Sequence, residues 1–378
     1  MKIAVVKETR PGEARVALVP DLVGRLTGLG CEVAVEPGAG DSAETGDEAY
    51  RTAGAAVAAD ALDGADVVVS VQPLGTGQVG RLKPGAATIS FLPAGIPAAE
   101  PLGLMAALRD AEVTSFAMEL VPRISRAQSM DALSSQALVA GYRCAIVAAE
   151  RLRRFLPLNM TAAGTVPPAE VVVLGAGVAG LQAIATTKRL GAVVKAYDVR
   201  AAAAEEIRSM GAQAIELDLE TLEGAGGYAR EMTEDRAARQ RELLTPYVAK
   251  ADALITTAAV PGRQAPLLVT RAMVEQMRPG SVVVDLAAET GGNVEGSVPG
   301  EVVTVGAATV WGGANVPSQM PAPASRLYAQ NVANLLTLMI DDGVFAPDFA
   351  DEIVAGCCVT HAGEVRHPRT RELLGGAS

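Results

Sequence analysis

The sequence predicts an α/β protein with two Rossmann-like domains, each a parallel sheet flanked by helices, and a cleft between the domains. The chain has 378 residues, more than one hydrophobic core usually serves, so two domains are expected. Its composition is 49% hydrophobic but only 3% aromatic, and Val, Ala and Gly dominate. Such a composition suits parallel sheets that are buried on both faces by helices of small residues. A repeated strand pattern supports the same fold.

The repeated pattern joins a buried strand, through a Pro-Gly turn, to a second buried strand. ADVVVSV at 65–71 precedes LKPGAATISFL at 82–92, and ADALITT at 251–257 precedes MRPGSVVVDLA at 277–287. This alternation is typical of βαβ units, so two related α/β domains follow. The strands expected to open the two domains lie at 2–6, 32–36, 170–174 and 193–197.

Two helical sequences are expected to link the domains. The first runs from about Ser129 to Phe155, and the second from about Ala324 to Ile340. We therefore predict that residues 1–135 and 325–378 form the first domain and that residues 136–324 form the second. A ligand of the second domain would lie in the cleft, where the carboxyl ends of the strands are presented.

A charged, glycine-containing segment at about 219–241 fits no regular element of the second domain. Long polar insertions of this kind are often mobile lids over a ligand. A solvated surface loop followed by a helix is the alternative, and composition alone does not decide between them. In the lid interpretation Tyr228, beside Gly226 and Gly227, is the residue best placed to close over a ligand.

The second domain begins with a nucleotide-binding pattern, VVVLGAGVAG at 171–180. Gly175 permits the tight turn after the strand, Gly177 lets a pyrophosphate approach the backbone, and Gly180 lets helix and strand pack closely. The phosphates would then lie at the positive N-terminus of the following helix. A glycine motif alone is weak, but the strand, helix, second strand and terminal acid around it together predict a dinucleotide site.

The terminal acid is Asp198, which ends the second strand of this pattern. An acid at that position accepts hydrogen bonds from the adenosine ribose and repels a 2′-phosphate. NAD is therefore favoured over NADP. Arg200 complicates this preference, because a nearby arginine accommodates NADP in some proteins.

A polar cluster, RISRAQSMDALSSQ, occupies residues 123–136. Gln128, Asp131 and Ser134 are three apart and so near one helical face, and Arg123 precedes them. These side chains could bond the nicotinamide carboxamide and ribose. The alternative is structural, with Ser129 or Asp131 as a helix N-cap and Arg123 paired to a surface acid.

The histidines favour the first alternative. Oxidation of an alcohol or an amine moves a proton with the hydride and usually needs His or Lys near the nicotinamide. The only two histidines, His361 and His367, lie in the C-terminal segment, far from these motifs. Hydride exchange between two nicotinamides needs no general acid or base, only rings held about 3–3.5 Å apart.

Composition and charge exclude several other classes. The net charge of −11 argues against nucleic acid or an anionic membrane surface as a partner. Four cysteines without a CxxC pair favour a reduced, cytosolic setting, and no metal site is predicted. The N-terminus is too short and polar for a signal peptide, and no membrane span is expected.

The chain resembles the NAD(H)-binding α subunit of proton-translocating NAD(P) transhydrogenase over essentially its whole length. The polar cluster and the glycine motif carry this resemblance together with further strings. These are MTAAGTVPPA at 160–169, YDVR at 197–200, GYAREM at 227–232, VDLAAETGGN at 284–293 and NVPS at 315–318. The alanine dehydrogenases belong to the same superfamily.

The resemblance implies a dimeric, peripheral component that exchanges hydride with NADP(H) held by a partner subunit. The partner complex would carry the proton-conducting membrane domain, placing this chain at the inner face of the cell membrane. Arg123, Asp131 and Ser134 would hold the nicotinamide carboxamide, and Gln128 would bridge towards the NADP(H) ring or ribose. The expected NAD(H)-binding residues are Gly175, Ala176, Gly177, Val178, Gly180, Asp198, Val199, Arg200, Gly227, Tyr228, Gln240 and Ala259.

Alanine dehydrogenase is the main rival, because TRPGEARVALVP at 9–20 is also typical of that enzyme. There Arg15 would bind a substrate carboxylate. The pocket lysine of that enzyme should fall near Ser70 to Gln72 and its histidine at Pro93, and neither is present; its aspartate falls at Glu289. A regulatory protein that senses NAD, without catalysis, is a further alternative.

Overall fold

The computed structural model describes residues 1–219, 233–260 and 262–375. The chain divides into two compact units, the first formed by Met1–Gln136 with Ser318–Ser378 and the second by Ala137–Pro317. Each unit contains its own mainly parallel sheet flanked by helices, which confirms the predicted α/β class.

The N-terminal part of the first unit alternates strands with helices. Its strands are β1 Lys2–Val5, β2 Glu32–Val35, β3 Ala56–Val57, β4 Val67–Val69, β5 Ala87–Ser90 and β6 Thr114–Ala117. Its helices are α1 Pro20–Thr27, α2 Asp47–Thr52, α3 Thr76–Val79 and α4 Ala99–Asp110, with 3-10 turns at Asp41–Ala43, Met118–Leu120 and Ser125–Met130.

Helix α5 (Ala132–Arg151) contains the division between the units, after Gln136. The strands that follow are β7 Asn159–Thr161, β8 Gly164–Val166, β9 Glu170–Leu174, β10 Val193–Tyr197, β11 Gln213–Ala214, β12 Ala253–Thr256, β13 Val282–Asp285, β14 Val302–Val305 and β15 Ala308–Gly312. The helices are α6 Val178–Arg189, α7 Ala203–Ser209, α8 Glu234–Lys250 and α9 Arg271–Glu275, with 3-10 turns at Ala288–Thr290 and Val316–Gln319.

The C-terminal segment completes the first unit. Its elements are α10 Pro321–Thr337, β16 Ile340–Asp341, β17 Val344–Phe345, α11 Glu352–Cys357, β18 Cys358–His361, β19 Glu364–Val365 and α12 Pro368–Gly375. Strand β18 pairs antiparallel with β6, and the Ser115 and Thr360 hydroxyls lie 2.7 Å apart across this pairing. His361, which the sequence left in a tail, is therefore part of the sheet.

The first sheet has the order β19-β18-β6-β5-β4-β1-β2-β3. Strands β1 to β6 are mutually parallel, and the direction of chain progression reverses between β1 and β4. Successive residues of β1 enter different cores, with Ile3 and Val5 in one cluster and Ala4 and Val6 in another. Because strand side chains alternate between faces, both faces of this sheet are covered.

The second sheet has the order β11-β10-β9-β12-β13-β15-β14, and only β14 is antiparallel among its described strands. Val171 and Val173 of β9 lie in one core cluster, whereas Val172 and Leu174 lie in another. The chain order reverses between β9 and β12. In open α/β sheets this reversal opens a crevice at the carboxyl ends of the strands, where ligands bind.

Three predicted element boundaries differ from the structure. The helix expected from Ser129 to Phe155 is a 3-10 turn followed by α5, because Asp131 caps the α-helix and starts it later. The helix expected at 324–340 begins at Pro321, since a first-turn proline needs no N–H partner, and ends at Thr337. Residues 234–241, expected to be irregular, already belong to α8.

Helix α5 has the length and apolar composition of a membrane span, the one candidate among the described residues, but half of its apolar window is buried in the protein itself. Its residues Ala140, Cys144, Ala145, Val147 and Ala148 belong to a core cluster of the second unit. Its apolar character is therefore explained by packing in the core.

Candidate functional site

The polar cluster of the first unit combines a 3-10 turn with the first turn of α5. Asp131 lies between them, and its Oδ1 accepts a hydrogen bond from the backbone N–H of Ser134 at 2.9 Å. Its Oδ2 accepts a second one from the Ser134 hydroxyl at 2.5 Å. Asp131, not Ser129, is thus the N-cap that the structural alternative expected.

The remaining predicted members of the cluster face solvent. Arg123 and Gln128 are both exposed, and Gln128 lies in the 3-10 turn. Gln128, Asp131 and Ser134 therefore do not share the face of one α-helix, contrary to the prediction from their spacing. Only Asp131 and Ser134 are brought into direct contact.

Helix α10 anchors this segment. The side-chain amides of Asn331 and Asn334 donate to the carbonyl of Ser129 at 2.9 and 2.8 Å. The Ser135 hydroxyl donates to Asn331 Oδ1 at 2.7 Å. The exposed side chains of the cluster are consequently displayed from a backbone that is fixed at several points, which is the arrangement required to orient a ligand.

The glycine motif of the second unit forms a turn between β9 and α6. Gly175 has φ +96°, in the left-handed region, and a Cβ there would lie 2.9 Å from the Ala258 nitrogen. A Cβ on Gly180 would collide with the Gly175 carbonyl oxygen, so helix and turn pack closely at this position. This local geometry confirms the strand–turn–helix arrangement that the sequence predicted.

Gly177 differs from its two neighbours because a Cβ there would meet nothing within 4 Å. It is the N-cap residue of α6 and, like Val178, is exposed. The first N–H groups of a helix have no partner within the helix, and they attract anions. Open space in front of such a helix end fits the approach of a pyrophosphate.

Asp198 and Arg200 form an ion pair beside this turn. Asp198 Oδ2 accepts a hydrogen bond from the Ala176 backbone N–H at 2.7 Å, and Oδ1 accepts from the Arg200 Nε at 3.0 Å. The Arg200 guanidinium also donates to the Ala176 carbonyl at 3.0 Å. The acid at the end of β10 is thereby fixed against the glycine turn, and its charge is partly balanced by Arg200.

Sequence reasoning missed a second support of the turn, the loop that follows β12. The Thr257 hydroxyl donates to the Gly175 carbonyl at 3.0 Å. The buried side chain of Asn293 accepts from the Ala258 N–H at 2.9 Å and donates to the Ala258 carbonyl at 2.8 Å. The signal available in the sequence was the Gly-Gly-Asn ending of VDLAAETGGN.

The other expected cofactor residues have different surroundings. Val199 is partly buried against a core cluster, and Ala259 is exposed just beyond β12. Gln240 of α8 is 1% exposed, and its Oε1 has no hydrogen-bond partner in the described part of the chain. Gly227 and Tyr228 lie outside the described residues.

The first unit contains a buried charged cluster around Arg15, the residue that would bind a carboxylate in alanine dehydrogenase. Two guanidinium nitrogens donate to Glu13, from Nε at 2.8 Å and from NH2 at 2.7 Å, and a third donates to Gln136 at 2.9 Å. Gln72, where the rival predicts lysine, donates to Glu13 at 2.8 Å. The chain's own acid therefore neutralises Arg15.

Three carboxyls of the first unit have perturbed pKa values. Burial alone would raise the pKa of Glu13, but the hydrogen bonds and charge of Arg15 outweigh burial and lower it to about 2. Burial raises the pKa of Glu8 to about 7, against the opposing hydrogen bond from Val71. Burial likewise raises the pKa of Glu119 to about 8. None of these buried acids was singled out from the sequence.

Comparison with known proteins defines the family. The model for the alanine dehydrogenase/PNT N-terminal domain matches residues 4–140, and the model for the corresponding C-terminal domain matches residues 144–368. The chain belongs to the alanine dehydrogenase/PNT family. The two matches together span most of its length.

Within this family, relatives named transhydrogenase share more of the sequence. A NAD(P) transhydrogenase subunit alpha chain of Rhodospirillum rubrum is 50% identical over 97% of this chain and 98% of its own length. The crystal structure of transhydrogenase from Sinorhizobium meliloti has a TM-score of 0.84 and 43% identity, covering 97% of this chain and 99% of that one. Alanine dehydrogenase of Mycobacterium tuberculosis is 30% identical over 99% and 97% of the two chains. The resemblance to transhydrogenase is confirmed and is favoured over the alternative.

Proposed function

We propose that this chain is the NAD(H)-binding component of a proton-translocating NAD(P) transhydrogenase. It would transfer hydride between NADH and NADP⁺, with NADP(H) held by a partner subunit, in a Re/Si-specific reaction that requires the complex. The observation that carries the proposal is the 50% identity to a transhydrogenase α subunit over nearly the full length of both chains.

The glycine turn supports a NAD(H) site in the second unit. Gly177 leaves the N-terminus of α6 open to a pyrophosphate, and Asp198 is held where it can accept hydrogen bonds from a ribose. Arg200 keeps the carboxylate ionised and fixed. The buried Oε1 of Gln240 supports its inclusion, because a buried acceptor without a partner is costly unless a ligand or another group satisfies it.

The polar cluster of the first unit is proposed to orient the nicotinamide. Bound NADH supplies the hydride, and no proton accompanies that transfer between two nicotinamide rings. The residues of the chain then need only fix the ring's face and angle: Arg123, Asp131 and Ser134 by holding the carboxamide, and Gln128 by reaching towards the partner's nucleotide. The anchored backbone of this segment supports such a role.

The absence of a free carboxylate receptor supports this function over amino-acid oxidation. Arg15 is 4% exposed and bound to Glu13, and neither lysine nor histidine occupies the positions the rival predicts. A primary amine is not oxidised efficiently without a group that takes its proton.

We also propose that the chain is a homodimer that binds membrane-spanning transhydrogenase subunits from the cytoplasmic face. The hairpin of β7 and β8 supports dimerisation because apolar side chains in and before it are exposed. Met160 is 74% exposed, Phe155 58% and Leu158 52%, which is costly unless another surface covers them. Proton movement would then take place in the partner subunits.

A hydride-transfer assay tests the proposed function. The purified chain is mixed with the NADP(H)-binding partner subunit, NADH and an oxidised NADP analogue, and the reduced analogue is followed by absorbance. We expect turnover in the mixture and none with either protein alone.

A parallel assay with alanine and NAD⁺ separates the alternatives. Appreciable pyruvate formation by the chain alone would contradict the proposal and identify an alanine dehydrogenase. NADH binding without any transfer in the presence of the partner would instead identify a regulatory protein that senses NAD.

A further inference from the structure

The side chain of Asn293 uses its whole amide to hold two neighbouring segments. Its Oδ1 accepts from the Ala258 N–H at 2.9 Å, and its Nδ2 donates to the carbonyls of Ala258 and Pro266, both at 2.8 Å. The residue is 0% exposed. A buried amide with three such bonds fixes its partners in one position, because losing any of them leaves a buried polar group unsatisfied.

Asn293 is itself fixed by Asp285, the last residue of β13. The backbone N–H of Asn293 donates to Asp285 Oδ2 at 3.0 Å, and the neighbouring N–H of Val294 donates to the same oxygen at 3.2 Å. The Thr256 hydroxyl donates to Oδ1 at 2.9 Å. Gly292 has φ +79°, and a Cβ there would lie 2.9 Å from the carboxylate, so glycine is required for this close approach.

The segment that Asn293 holds also contacts the glycine turn. The Thr257 hydroxyl donates to the Gly175 carbonyl at 3.0 Å, and a Cβ on Gly175 would lie 2.9 Å from both that hydroxyl and the Ala258 nitrogen. The connection therefore runs from Asp285 through Asn293 and the β12 loop to the turn. All of these residues belong to the second unit.

The position of this loop relative to Asp198 suggests which half of a ligand it serves. The glycine turn follows β9; Asp198 follows β10 on one side of β9, and the Thr257–Ala259 loop follows β12 on the other. In a dinucleotide bound across the reversal of strand order, the acid after the second strand marks the adenosine half. The β12 loop then lies under the opposite half.

We propose that Asn293 is a positioning residue that sets the β12 loop under the nicotinamide half of the bound dinucleotide. This inference rests on the proposed function, because it requires NAD(H) to bind at the glycine turn. It predicts a selective defect: loss of the Asn293 amide should weaken ligands that carry nicotinamide and spare those that end at the pyrophosphate-linked ribose.

The test compares the dissociation constants of NADH and ADP-ribose by titration calorimetry. For Asn293→Ala we expect NADH to bind about tenfold more weakly, the size of a lost hydrogen-bond contribution, with ADP-ribose changed less than twofold. Asp252→Asn is the matched control. Asp252 is also a buried polar residue with several partners, but it precedes β12 and binds Arg154 at 2.7 Å and the Glu170 N–H at 2.8 Å. Both ligands should bind the control within about twofold of wild type.

Thr257 provides a second pair of variants should Asn293→Ala fail to fold. Thr257→Val removes the hydroxyl that reaches Gly175 and should show the same selective loss, whereas Thr257→Ser should retain NADH affinity. Equal weakening of both ligands, or no weakening of NADH, would overturn the inference. Failure of the wild-type chain to bind NADH would instead contradict the proposed function.

Discussion

Asp131 binds Ser134 twice, through the backbone N–H at 2.9 Å and through the hydroxyl at 2.5 Å. One aspartate therefore both caps α5 and directs the hydroxyl of a residue proposed to hold the nicotinamide. Because the only hydroxyl proton of Ser134 is donated to Asp131, its lone pairs remain available to accept from a carboxamide N–H₂. Capping and ligand orientation are thus compatible in the same pair.

This pair predicts separable effects on stability and rate. Asp131→Ala should lower the free energy of unfolding by about 1 kcal/mol, because the N-cap is lost. Ser134→Ala keeps the bond from the backbone and should cost less than about 0.5 kcal/mol. Both variants should slow hydride transfer. Urea unfolding and the transfer assay measure the two effects; unchanged transfer in Ser134→Ala would exclude the hydroxyl from the site.

Arg123 is expected to contribute to orientation more than to affinity. A charge-assisted hydrogen bond contributes about 1.5–3 kcal/mol, so Arg123→Ala should slow hydride transfer by roughly 10- to 150-fold. NADH affinity should fall much less. Arg126→Ala is the control, since Arg126 lies in the same turn but pairs with Asp351 at 2.7 Å. Equal losses of rate and affinity in Arg123→Ala would argue against an orienting role.

The glycines of the turn should respond differently to alanine. Gly177→Ala adds a methyl group to open space, so the melting temperature should change little while NADH binding weakens at least several-fold. Gly180→Ala places a methyl group on the Gly175 carbonyl and should destabilise the fold by about 1–3 kcal/mol. Thermal unfolding and NADH titration distinguish these outcomes. Tight NADH binding by Gly177→Ala would count against a pyrophosphate at this position.

Asp198 is expected to set the preference between the two dinucleotides. Asp198→Asn removes the charge that repels a 2′-phosphate and weakens the contact with Arg200. NADH should bind about tenfold more weakly, while NADPH should bind as well as or better than to wild type. Parallel titrations with both nucleotides provide the measurement. An unaltered ratio of the two affinities would show that discrimination lies elsewhere.

Glu119 should make stability depend on pH. Its folded pKa of about 8 lies above the ordinary value of 4.5, because burial opposes ionisation, so the folded state keeps a proton that the unfolded state has lost. Its contribution is fully present below about pH 4.5 and is lost as pH rises to about 8. Glu8, with a pKa of about 7, acts in the same direction.

Replacing Glu119 should reduce this loss. Glu119→Gln should retain about 2 kcal/mol more of its stability than wild type when urea unfolding at pH 5.5 is compared with pH 8.5. Glu372→Gln, at an exposed position of α12, is the control and should follow wild type. Parallel curves for wild type and Glu119→Gln would show that the buried carboxyl does not control this dependence.

Local sequence determined the elements of the fold and the glycine turn. Runs of Val and Ala flanked by Gly and Pro predicted β4, β5, β9, β10, β12 and β13, because a strand buried on both faces needs continuous apolar residues. The spacing of the glycines and Asp198 predicted the turn, since its backbone geometry depends on residues that are near in sequence. Helix ends were less predictable, because capping by Asp131 and the prolines of α10 moved them.

The tertiary structure alone decided which distant polar groups meet. Arg15 and Gln136, Ser129 and Asn331, and Ala258 and Asn293 are paired by chain topology, and no local pattern records such pairings. Burial of Glu119 and the neutralisation of Arg15 by Glu13 likewise depend on packing. The sequence by itself determined the family, the two α/β units and the nucleotide turn, because these depend on residue type and short spacing. Only the tertiary structure decided the hydrogen-bond network that holds the turn, because it joins residues up to 118 positions apart, Gly175 and Asn293 being linked through Ala258.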